Sequence, residues 1–137
     1  MEGLECLLQV YAIGEVRYTE RAVSTKNPLI RTFMERCALE RSDFIMDIWQ
    51  MVIRKNQPTD VGGLLAWHKN LYGKDYLITK PLYHLNIASL DQTAFEICQY
   101  MMLSNLSEEL IALFIEQAVK LEVNLFTLKH FKILSRD

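Results

Sequence analysis

Apolar residues recur along this chain at steps of three and four. Leu4, Leu8, Tyr11, Tyr18 and Ala22 fall on one side of a 3.6-residue spiral, with Glu15 in the same row. The pattern predicts a first helix over about residues 4–23. Ser24-Thr25-Lys26-Asn27-Pro28 interrupts it, and Asn27 is the expected cap of the next helix. Proline suits the first turn that follows, where its missing N–H is not needed. The second helix, over about 29–54, runs on Ile30, Phe33, Cys37, Glu40, Phe44, Asp47 or Ile48, and Met51. A third, over about 80–102, starts from Thr79 with Pro81 in its first turn. Its row is His84, Ile87, Asp91, Ala94, Cys98 and Met101. Ser107-Glu108-Glu109 opens a fourth, with acids at the positive end of the helix dipole. That helix reaches about 133 on Ile111, Phe114 or Ile115, Ala118, Leu121 or Glu122, and Leu125.

Connection lengths set the expected topology. Short links after the first and third helices force antiparallel hairpins. The stretch 55–79 is long enough to travel the length of a bundle, and it has room for a short helix over 61–72 ended by Gly73. The second and third helices can then point the same way. The expectation is an all-α fold forming a single domain over 1–137, two antiparallel hairpins joined by a long crossover containing a short helix. That is the ferritin-like four-helix bundle.

Composition narrows the function classes. Half the residues are hydrophobic, enough for a core, and the net charge of −2 comes from interspersed acids and bases. Such a balance offers no footprint for nucleic acid. No apolar run approaches the roughly 18–20 residues of a membrane span, and the first residues have no signal-peptide pattern. Cys6, Cys37 and Cys98 are widely spaced and odd in number, which argues for reduced thiols acting as small hydrophobes. A cytoplasmic protein is expected.

The stretch 28–44, with Glu40-Arg41 followed by Phe44, resembles the second helix of an uncharacterised bacterial family in the ferritin-like superfamily. Gly14 and Tyr18 in the first helix, and Gly62-Gly63-Leu64 with Trp67-His68 in the crossover, extend the resemblance over nearly the whole chain. It implies the four-helix fold; no activity is established for the family as a group. Di-iron members of the superfamily carry Glu-x-x-His on two helices, where imidazole and carboxylate share a face and converge on one metal. This chain contains no Glu-x-x-His, and the nearest equivalent is Glu40-x-x-Asp43.

Acids still interrupt the apolar rows. Counted from the turns, Glu15 and Glu40 lie at similar heights, as do Asp91 and Glu122, so all four can share one mid-bundle layer. Buried carboxylates need a partner, a proton, a metal or water. One reading pairs them with arginines such as Arg17, Arg21 and Arg41. The other assembles Glu15, Glu40, Asp43, Asp91 and Glu122 into a carboxylate-rich site for a divalent metal, Mn, Fe, Mg or Ca. His68, His84 and His130 show no metal-ligand spacing. Trp49, Trp67 and Tyr72 either clamp the crossover or form an exposed aromatic patch. The expected function is a non-catalytic structural or protein-interaction module with no required cofactor, open to a homodimer or another protein partner. The alternative is a metal-binding bundle.

Overall fold

A computed structural model describes residues 2–53 and 86–135. Among these residues the fold is all-α, with four long helices packed as a bundle: α1 (Glu2–Ser24), α2 (Pro28–Ile48), α3 (Ile87–Met102) and α4 (Glu108–Ser135). The expected short helix over 61–72, the crossover, Trp67, Tyr72, His68 and His84 lie outside the described residues.

The helix boundaries follow local chemistry. Asn27 is extended and its Oδ1 accepts from the N–H groups of Leu29 and Ile30 at 2.9 and 3.2 Å. Ser107 does the same for α4, with the Leu110 N–H 3.3 Å from its Oγ. Two boundaries depart from expectation. The third helix is not continuous through residue 86: Asn86 is extended, at ψ 174°, and its side chain caps Ser89. A capping asparagine thus begins a helix that apolar spacing alone places further upstream. The second helix leaves α geometry after Ile48 and continues as a wider π-type turn, Trp49–Ile53. Ile48 and Trp49, though consecutive, are both buried there. Trp49 therefore contributes to the interior and not to an exposed aromatic patch.

Residue pairs fix the helix directions. Tyr18 meets Asp91 and Tyr11 meets Cys98, so α1 and α3 are antiparallel. Phe33 meets Phe131, Glu40 meets Asn124, and Phe44 receives Gln117, so α2 and α4 are antiparallel too. The tight turn between α1 and α2 reverses the chain, and α2 and α3 consequently run in the same direction. The core has two apolar parts. The larger gathers Leu7, Tyr11, Phe44, Ile48, Leu90, Cys98, Phe114 and Leu121. The smaller gathers Tyr18, Ile30, Phe33, Met34, Cys37, Ile87 and Leu128 near the α1–α2 turn. Polar side chains occupy the layer between them.

Candidate functional site

The centre of that layer is Arg41, whose side chain is buried completely. It is in phase on α2 with Met34, Cys37, Phe44 and Ile48, so helix geometry directs it inward with them. Gly14 of α1 lies beside its stem, where an added Cβ would sit 3.9 Å from Arg41 Cγ and Cδ. The guanidinium lies 5.3 Å from the Tyr18 ring centre and 5.4 Å from that of Phe44. Its Nε and Nη2 donate to the two oxygens of Asp91 at 3.2 and 2.8 Å. Such bidentate geometry is the strongest arrangement an arginine offers a carboxylate.

Asp91 is 1% exposed and also accepts the Tyr18 hydroxyl at 2.5 Å. The third guanidinium nitrogen, Nη1, donates to Glu40 Oε1 at 3.0 Å, and Asn124 Nδ2 donates to the same oxygen at 2.6 Å. Glu40 is half-buried and carries the network towards the bundle surface. Each of the four helices therefore supplies one member or more: Tyr18, Arg41 with Glu40, Asp91, and Asn124. Two turns away, the Tyr11 hydroxyl donates to Gln117 Oε1 at 2.9 Å and lies 3.4 Å from Cys98 Sγ. Gln117 in turn donates to the Phe44 carbonyl at 3.3 Å.

The electrostatics follow from burial and pairing. Burial pushes the Asp91 carboxyl above its ordinary range, against the pull of Arg41 and the Tyr18 hydroxyl. Burial alone would lower Arg41, but Asp91 and Tyr18 more than offset it and hold the guanidinium above its ordinary value. Arginine does not deprotonate in proteins, so this buried cation keeps Asp91 as its counter-ion. Burial pushes the Cys37 thiol up to about 12 and the Cys98 thiol up to about 11. Thiols held protonated in this way are poor nucleophiles. Tyr11 and Tyr18 are likewise pushed well above their ordinary value by burial.

The five acids singled out by spacing are dispersed. Asp91 is at the centre of the layer and Glu40 at its rim. Glu15 is half-buried one turn from Tyr18, which takes the expected α1 place. Asp43 and Glu122 are exposed. On α4 the inward position belongs to Asn124, two residues beyond Glu122. Among the described residues, no group of three or more His, Cys, Asp or Glu side chains is placed to hold a metal ion. Tyr18, Gln117 and Asn124 were not singled out as site residues by spacing. Tyr18 reads as a core residue with a polar tip, and the two amides occupy core-phase positions on a helix that is apolar on several sides.

No family model, curated protein or solved structure matches the chain. Among the described residues, no helix is long and apolar enough to cross a membrane.

Proposed function

We propose that this protein is a non-catalytic ferritin-like bundle that serves as a structural or protein-interaction module in the cytoplasm. The shared direction of α2 and α3, with their antiparallel neighbours, supports the ferritin-like arrangement. The observation that carries the functional reading is the bidentate contact between Arg41 and Asp91. The deepest acid of the layer has its charge matched by a cation of its own chain, in the place where a metal-binding bundle presents carboxylates to an ion. Glu40 is held by the same guanidinium and by Asn124. The free thiols Cys37 and Cys98, buried and unlinked, fit a reducing compartment.

The test is metal uptake. Purified full-length protein is dialysed against Mn, Fe, Mg or Ca, then measured by elemental analysis and thermal unfolding. The expected result is less than one-tenth of an equivalent retained (roughly background) and no change in the unfolding midpoint, because a bound cation would face Arg41 across the layer. Stoichiometric metal that is lost in both Glu40→Gln and Asp91→Asn would replace this reading with the carboxylate-metal one.

A further inference from the structure

Resting on the module reading, we propose that α4 is the face by which two copies of this chain pair, antiparallel about a two-fold axis at Val119. The helix turns Phe114, Gln117, Leu121, Asn124 and Leu128 into the bundle. At about 100° per residue, Val119 points opposite to this set. Ile115, Val119, Val123 and Phe126 share that outer side and are 47, 55, 56 and 65% exposed. These partly exposed side chains lie opposite the core, where helices of soluble proteins ordinarily carry polar residues.

The row is its own complement. Ala112 and Phe126 lie equally far before and after Val119, and so do Ile115 and Val123, and Glu108 and His130. In an antiparallel pair with its axis at Val119, positions equally far from the axis come face to face. The small Ala112 then meets the large Phe126 of the second copy, and the Glu108 carboxylate meets the His130 imidazole. Lys120 comes within about 3 Å of rise of Glu116 on the second copy, on the same flank of the seam. A parallel pair would instead oppose Glu108 to Glu108 and align the helix dipoles. The antiparallel contact is isologous, so it closes at two copies and leaves no free end.

Sedimentation equilibrium of the full-length protein tests the pairing. The expected result is a dimer at micromolar concentration that Val119→Glu weakens at least about tenfold, since it sets two carboxylates on the axis. Val119 is exposed, so the variant monomer should keep the parent's helicity and match the thermal midpoint of the parent diluted below its dimer dissociation range. Under mild oxidation Val119→Cys should give a reducible dimer, whereas Leu39→Cys, exposed on α2, should not. Glu108→Lys should weaken association, and adding His130→Glu should restore it. A monomeric parent protein overturns the pairing and leaves the row to a different chain. A dimer that Val119→Glu does not weaken, or equal cross-linking by Val119→Cys and Leu39→Cys, overturns it as well. Metal uptake by the Val119→Glu monomer is read separately, and it strikes the module reading without touching the pairing.

Discussion

Replacing Arg41 by methionine removes a charge and its donors while keeping a stem of similar length. Arg41 contacts both oxygens of Asp91, at 3.2 and 2.8 Å, and Glu40 at 3.0 Å. In Arg41→Met, Asp91 stays buried with the Tyr18 hydroxyl as the one remaining donor among those described for it. Breaking a buried pair by removing one member costs about 3–5 kcal/mol, because the surviving charge is uncompensated. For a chain of this length that corresponds to roughly 10–15 °C in the thermal midpoint. The deficit should depend on pH with a defined sign. Burial already pushes the Asp91 carboxyl up, and without Arg41 it rises further. An acid whose folded value is raised contributes stability that is present at low pH and lost as pH rises towards that value. The deficit of Arg41→Met should therefore shrink as pH falls through the window between the raised folded value and the ordinary carboxylate range, by at most about 1.4 kcal/mol per pH unit.

The second arm removes both members. Arg41→Met with Asp91→Leu leaves no buried charge, and such replacements are often neutral or stabilising by about 1–4 kcal/mol. Urea unfolding of the parent, both single variants and the double variant at pH 7 and pH 5 closes the cycle. The expected double variant lies above Arg41→Met and no more than about 1–3 kcal/mol below the parent, the cost of leaving the buried Tyr18 hydroxyl without its acceptor. A deficit below about 1 kcal/mol for Arg41→Met at pH 7 would refute the buried pair, as would a double variant as unstable as the two singles summed.

Two further variants and one titration extend the reasoning. Gly14→Ala should stabilise the protein by about 0.5–1 kcal/mol in urea unfolding, because alanine favours helix and its Cβ meets Arg41 at an ordinary 3.9 Å. Gly14→Leu should destabilise it by about 1–3 kcal/mol by displacing the arginine stem, and a destabilising Gly14→Ala would contradict that geometry. Alkaline stability should fall: unfolded thiols ionise near pH 9 while Cys98 and Cys37 hold their protons to about 11 and about 12. Their contribution is complete below pH 9 and declines above it by about 1.4 kcal/mol per pH unit for each thiol, until the folded values are reached. Urea midpoints at pH 8 and pH 10 measure the slope, and Cys37→Ala should remove one thiol's share.

Three of the four helices were legible because each carries an apolar row at helical spacing. In α1 the predicted row is buried at Leu4, Leu8, Tyr11, Tyr18 and Ala22 and half-buried at Glu15, and in α3 it is buried at Ile87, Asp91, Ala94, Cys98 and Met101, with His84 outside the described residues. In α2 the row was right and its polar member was one residue off: Glu40 reaches the rim while Arg41, in phase with Cys37 and Ile48, goes to the centre. A single step along a helix is about 100°, enough to exchange a rim position for a core one. The fourth helix was ambiguous for a stronger reason. It is apolar on two opposite sides, so spacing left Phe114 against Ile115 and Leu121 against Glu122 undecided. The structure buries Phe114 and Leu121, and the acid nominated for the layer, Glu122, is on the surface. Nothing in the apolar spacing marked the π-type turn at Trp49–Ile53, because it adds a residue to a turn without changing residue types.

The same ambiguity explains what the polar layer accomplishes in this fold. A uniformly apolar bundle tolerates alternative registers, because one apolar contact replaces another at little cost. Sliding α3 by one turn, about 5.4 Å, would carry the buried Asp91 carboxylate away from its cation and leave Arg41 with Glu40 alone. The ion pair thus selects one register while adding little net stability. For α4 the choice is rotational. Turned half-way round, it would offer the bundle Ile115, Val119, Val123 and Phe126 instead of its present apolar set. Asn124 bonded to Glu40 and Gln117 bonded to Tyr11 and Phe44 oppose that alternative, since rotation would take one partner each from the Glu40 carboxylate, the Tyr11 hydroxyl and the Phe44 carbonyl. Two buried amides therefore decide which apolar side of α4 completes the core and which is presented outward.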